Sequence, residues 1–190
     1  MHRSRLVYVT ASAKNEIAPT TTRSDAELVA LVTGGDLAAL GALYDRYAGI
    51  LLAVAYRLLM SRADAEDVVH DVFVGLPEAL RRYEERGALA SWLKRVTVRV
   101  ALSRLRHDEV RAAQSLDASL GAPTRDAAAA MDLESAVAAL PPSLRAVLVL
   151  KEIEGYSHAE IADMIGISVA ASKVRLHRAL RALRRQLEER

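Results

Sequence analysis

An all-α fold is predicted: two small helical domains joined by a flexible linker, the C-terminal one a helix-turn-helix. Three observations predict it. Hydrophobic residues make up 52% of the 190-residue chain and aromatics only 4%. The core must therefore be built from Ala, Leu and Val, a palette that favours helices over sheets. Glycines and prolines are few, at 9 and 5, which disfavours a turn-rich all-β chain. The length of 190 residues exceeds the usual size of one domain and falls short of two large ones.

Residues 1–23 are polar, Thr-rich and aperiodic, and read as a disordered tail. The first domain spans residues 24–107. Ser24-Asp25-Ala26-Glu27 has the form of a capping box, in which hydroxyl and carboxylate satisfy orphan backbone donors. Leu28, Leu31 and Val32 then fall on one helical face, Gly34-Gly35 stops that helix, and Asp36 can cap the next. DLAALGALYDRYAGILLAVAYRLLM reads as a long apolar helix or a closely joined pair, with Tyr44, Tyr47 and Tyr56 expected in the core. Ser61 with Asp64 opens SRADAEDVVHDVFVGLPEALRRYEE, whose inner stripe is Val68, Val69, Val72, Phe73 and Leu76. Pro77 is expected to kink or end this helix, because it lacks a donor and crowds the preceding turn. After a break near Gly87, ALASWLKRVTVRVALSRLR runs as a basic amphipathic helix to about Arg106.

Residues 108–130 are polar and Ala-rich, carry Gly121 and Pro123, and read as the linker. The second domain spans 131–190. It begins with a short helix near Met131 to Leu140, and Pro141-Pro142 then starts another, Pro being well placed at a helix start. Ser157-His158-Ala159-Glu160 is a second capping box, opening a helix of about two turns. Ala162 is small where helices cross, Gly166 stands at the expected left-handed cap, and Ser168 can cap the next helix. A capped helix, a short Gly-bearing turn and a second helix make a helix-turn-helix, whose second helix enters the major groove. That helix carries Lys173, Arg175, Arg178, Arg181, Arg184 and Arg185, and each phosphate such cations neutralise adds salt-sensitive affinity. The plainer reading of the same run is a solvated face of a helical bundle.

Net charge is only +2, with a sequence pI near 9.0, so the position of the charge says more than its sum. No cysteine is present, which excludes disulfides, thiolate chemistry and Cys-ligated zinc. The N-terminus has no long apolar run and does not read as a signal peptide. The apolar stretch around Ile50 to Met60 is broken by Arg57 and too short to span a bilayer. A soluble cytoplasmic protein without membrane insertion is expected. Glu66, Asp67, His70 and Asp71 lie at helical spacing, but a di-iron bundle needs a second Glu-x-x-His, and none occurs. Nothing resembles a Gly-rich phosphate loop or a Ser-His-Asp arrangement. No metal, cofactor or intrinsic catalysis is expected.

LPPSLRAVLVLKEIEGYSHAEIADMIGISVAASKVRLHRALRALRRQL resembles region four of bacterial sigma factors. SDAELVALVTGGDLAALGALYDRYAGILLAVAYRLLMSRADAEDVVHDVF, with SWLKRVTVRVALSRLR beyond it, resembles their region two. The two come in the right order with nothing resembling a further domain between them, an arrangement similar to the extracytoplasmic-function subfamily. The resemblance implies core RNA polymerase (its β′ clamp helices and β flap) and promoter DNA as partners, and brings an anti-sigma factor into consideration. It implies that Asp64, Glu66, Asp67, Asp71 and Phe73 face the clamp helices. It implies that Trp92, Lys94, Arg95, Arg99, Ser103 and Arg106 serve the minus-ten element, Trp92 by stacking on an unpaired base and the cations by holding strand phosphates. Trp92 on pattern alone reads as a core anchor. Ser168, Ala170, Ala171, Lys173, Arg175 and Arg178 fall where the minus-thirty-five element would be read. The chain departs from the family at Arg99, often Asn; at Ser103, often Asp; at Pro77, usually Trp; and at Ser172, a frequent apolar core position with Val174 nearby to compensate.

Two other classes fit parts of the pattern. A transcription regulator would bind palindromic duplex sites as a dimer. An interaction module would offer its basic helix to an acidic protein. A polar linker also allows the two domains to close on one another and hide their DNA surfaces.

Overall fold

In the computed structural model, residues 23–83, 88–114 and 133–188 are described. The tail before Arg23, the break around Gly87 and most of the expected linker lie outside them. The described residues form helices α1 (Asp25–Thr33), α2 (Leu37–Leu59), α3 (Arg62–Leu80), α4 (Leu89–Gln114), α5 (Leu133–Ala138), α6 (Pro142–Leu148), α7 (His158–Ile165) and α8 (Val169–Glu188). A π-helical turn, Val149–Ile153, follows α6 directly.

Local chemistry sets the boundaries. Ser24 and Glu27 complete their capping box, the Ser24 amide donating to the Glu27 carboxylate at 2.7 Å. Asp36 accepts from the amides of Ala38 and Ala39 at 2.8 and 3.1 Å. Ser61 accepts from the Asp64 amide. The long apolar segment is one helix, and by length and composition α2 is long enough to cross a bilayer, more so than the stretch from Ile50 suggests. Its buried positions Leu43, Tyr47, Leu51, Val54 and Leu58 recur at helical spacing and face α3 and α4. That is the pattern of a core helix.

Three expectations need correction. Pro77 does not end α3, which continues to Leu80. The proline removes one donor, to the Phe73 carbonyl, only a turn from the helix end, and Leu76 and Leu80 bury at 1% and 3% exposure to hold that turn down. Helix α4 overruns Arg106 and reaches Gln114. Of the three tyrosines, Tyr47 is buried, Tyr56 is half-buried and Tyr44 is 48% exposed, its ring lying 4.9 Å from Phe73.

Packing gives three apolar clusters. One, built around Leu28, Leu43, Leu51, Phe73, Leu76 and Leu93, belongs to the first domain. Another, Ala136, Leu140, Leu148, Ala179 and Leu183, belongs to the second. Between them a third joins Leu58, Val68 and Leu102 to Val147, Leu150 and Ile161. The two domains therefore share a core. Arg145 fastens this seam. It is 6% exposed. Its Nε donates to the Leu58 carbonyl at 3.0 Å, and its Nη1 donates to those of Ala138 and Leu140 at 2.9 and 3.3 Å. One guanidinium thus satisfies orphan carbonyls at the ends of α2 and α5. Burial pushes its pKa down.

Candidate nucleic-acid interface

The helix-turn-helix forms as its residues dictate. Ser157 and Glu160 close a capping box, the Ser157 amide donating to the Glu160 carboxylate at 2.9 Å and the Glu160 amide to the Ser157 hydroxyl at 3.2 Å. Gly166 takes φ +77°, the left-handed cap that favours glycine. The Ser168 hydroxyl accepts from the Ala171 amide at 3.1 Å, opening α8. Ala170, Lys173 and Arg178 face solvent, with Ala171 and Arg175 half-covered. Among the described residues, none of Lys173, Arg175, Arg178, Arg181 and Arg184 has an ionic partner. Their charge is free to meet an anion.

Ser172 explains its own departure. It is fully buried, and its hydroxyl lies 2.9 Å from His158 Nδ1 across the turn. A polar bond thus occupies a position where an apolar contact was expected. Val174 does not compensate, since it is 49% exposed.

The cations on α4 are placed differently. Lys94 Nζ donates to Glu154 at 3.1 Å, Arg95 Nη2 to Glu160 at 3.0 Å, and Arg99 Nη2 lies 3.7 Å from Asp163. All three acids belong to the second domain. Glu160 also serves the capping box, and hydrogen bonds from the Ser157 amide, then the Ser157 hydroxyl, hold its pKa below the usual carboxylate range, with Arg95 adding to them. Trp92 is half-buried, its ring 5.0 Å from Tyr83, so it forms the edge of the first-domain core and keeps part of its surface open. Ser103 is half-buried beside Asp71 and Arg104. Arg106 is exposed and lines one cleft with Arg175, at the seam between the domains.

The acidic face of α3 is also partly engaged. Arg104 Nη2 donates to Asp64 at 2.7 Å and Asp67 at 2.9 Å, and Arg62 pairs with Glu66. The Asp64 pKa is lowered by hydrogen bonding from Ser61 first and by Arg104 next. Asp71 is exposed. Phe73 is the misplaced member of this set. At 6% exposure it is a core residue, while its neighbour Val74 is 67% exposed. The inner stripe and the docking face compete for position 73, and burial wins. Sequence reasoning missed Glu154, Glu160 and Asp163 as partners of α4. No local pattern signals them, because pairs such as Lys94–Glu154 are 60 positions apart.

Among the described residues, no group of three or more His, Asp or Glu stands together to hold a metal ion. The family described as sigma-70 region 2 matches residues 43–111, and sigma-70 region 4 matches residues 130–183. The ECF RNA polymerase sigma factor SigM of Mycobacterium tuberculosis is 31% identical over 167 residues, covering 87% of this chain and 85% of its own. SigW of Bacillus subtilis is 27% identical, covering 83% and 94%. A solved structure of CnrH in complex with the cytosolic domain of CnrY superposes with a TM-score of 0.54 at 27% identity, covering 87% of this chain and 97% of that one. With both regions present in order and a relative this similar over most of both lengths, the chain belongs to the ECF RNA polymerase sigma factors.

Proposed function

We propose that this chain binds core RNA polymerase through the acidic face of α3 and reads promoter DNA with two separate helices. Asp64, Glu66, Asp67 and Asp71 meet the basic clamp helices of β′, with Arg104 yielding Asp64 and Asp67 on docking. Helix α8 enters the major groove of the minus-thirty-five element. Ser168, Ala170 and Ala171 lie at its leading turn, and Lys173, Arg175 and Arg178 meet flanking phosphates. Helix α4 takes the melted minus-ten strand, with Trp92 stacking on a base and Lys94, Arg95, Arg99 and Arg106 on its phosphates. Unstacking costs about 1.4 kcal/mol per step, and stacking returns about 1–3 kcal/mol per captured base. A protein of this size therefore shares the opening with polymerase, which performs all the chemistry. The chain acts in the cytoplasm, and an anti-sigma factor is a fitting partner, as the solved complex of the sigma factor RpoE with the anti-sigma factor NepR from Bartonella quintana, which shares the fold, suggests.

The observation that carries this reading is the cation stripe of α8 standing unpaired behind a fully capped turn. Run-off transcription with core polymerase, on fragments selected by binding, tests it. A protein-dependent transcript with a defined start is expected. Trp92→Ala is expected to keep duplex binding and lose at least tenfold in transcript. Duplex binding that never directs core polymerase defeats the reading.

A further inference from the structure

Of the four α4 cations that the proposed function gives to the promoter strand, Lys94, Arg95 and Arg99 are each engaged by an acid of the second domain. The three contacts are not equal. Arg95–Glu160 and Arg99–Asp163 are open to solvent, with side-chain exposures of 56% and 43%, and 65% and 78%. Such pairs contribute little. Glu154 differs. Its side chain is 3% exposed and it takes two cations of the first domain, Arg57 at 2.9 Å and Lys94 at 3.1 Å. A buried carboxylate that loses its partners is strongly destabilising where it stands, so the closed seam depends on this pair of contacts.

The closed arrangement also conflicts with promoter reading. Arg106 and Arg175 line the same cleft. Elements centred at minus ten and minus thirty-five are roughly 25 base pairs apart, or about 85 Å along the duplex at ~3.4 Å per step. Residues meant for both elements cannot share one cleft and reach both. The free chain is therefore shut where it must open.

We propose that Glu154 is the catch of an autoinhibited form, in which acids of the second domain pair with Lys94, Arg95 and Arg99 of α4 until Arg57 and Lys94 release it. This rests on the strand-binding reading of α4. Lys173, Arg178, Arg181 and Arg184 of α8 remain exposed in this form, so duplex contact precedes strand capture.

The chain has no cysteine, so dyes can be placed at will. Leu37→Cys and Leu180→Cys, on exposed sites of the two domains, give a pair for energy transfer in the full-length protein. Two variants open the catch with opposite changes of charge. Glu154→Gln removes an anion, and Arg57→Glu removes a cation and sets two carboxylates together. Circular dichroism checks that both stay helical. Strand affinity is read with a fluorescein-labelled random single-stranded 12-mer pool. Both variants are expected to lower energy transfer and to bind the pool at least fivefold tighter than wild type. A gain by Arg57→Glu, which makes the protein more acidic, comes from opening rather than added charge. Unchanged energy transfer in both variants overturns the catch. Lowered transfer with measurable but unchanged strand affinity overturns the masking of the α4 cations by those acids. Lowered transfer with no strand binding by any of the three proteins upholds the catch and defeats the strand reading instead.

Discussion

Helices α4 and α8 carry similar cations to different fates. On α8 the charges stand in solvent without ionic partners among the described residues, behind a turn fixed by Ser157, Gly166 and Ser168. On α4, Lys94, Arg95 and Arg99 are engaged across the seam by Glu154, Glu160 and Asp163. The difference shows that a basic helix announces what it can bind, and its tertiary neighbours decide when. On the proposed reading, the unpaired stripe would give standing affinity for duplex, and the paired stripe an affinity that depends on a conformational step.

The comparison can be broken most severely at Arg145. Replacing it with Ala strands the buried carbonyls of Leu58 and Leu140 and the half-buried one of Ala138. A loss of about 3 kcal/mol in thermal unfolding is expected from buried acceptors left unpaired. The two domains should then melt in separate steps, because the guanidinium joins α6 to α2. A single unshifted transition would show that the seam does not need it.

Gly166→Ala sharpens the α8 side. The added Cβ meets nothing within 4 Å, so its only penalty is φ +77°. The strain is about 1–2 kcal/mol, read as a fall in melting temperature. It should weaken duplex binding by tilting α8 and leave domain closure intact.

The smallest effect is on pH. Hydrogen bonding to Ser24 and Ser157 lowers the pKa of Glu27 and Glu160, the carboxylates of the two capping boxes. A lowered folded-state value means stability that is present above the unfolded carboxylate pKa of about 4.3 and lost as pH falls through the folded value. Melting temperature should therefore hold from neutrality to about pH 5 and decline below it. Glu160→Gln should make that decline shallower. Equal slopes in both proteins would show that the box at α7 carries no such linkage.

What the sequence made legible was local. Ser24, Asp36, Ser61, Ser157, Gly166 and Ser168 each act within three or four residues, so the helix ends they cap and the whole helix-turn-helix could be read ahead of the structure, while the C-terminal ends of α3 and α4, which no such cap marks in the sequence, could not. The apolar stripe of α3 was equally plain, and it placed Phe73 inside even while the family resemblance placed it at a docking face. The seam was not legible. Arg57–Glu154 joins residues 97 positions apart and Arg95–Glu160 joins residues 65 apart, and no short pattern encodes such a pair. Nor was the bond from His158 to Ser172, since a lone serine on an apolar stripe does not reveal its partner. The π-helical turn that carries the chain to Glu154 likewise has no signature in the run VLKEI.

The division of labour between α4 and α8 is tested most directly by permanganate footprinting of the holoenzyme on one promoter. The charge-removing variant of α4 is Lys94→Ala with Arg95→Ala, and that of α8 is Lys173→Ala with Arg178→Ala. The α4 variant should still occupy the promoter and lose reactivity of unpaired thymines near minus ten. The α8 variant should lose occupancy, with its salt dependence reduced by about one unit of slope per phosphate contact removed. Normal strand opening by the α4 variant, or normal occupancy by the α8 variant, would contradict the account.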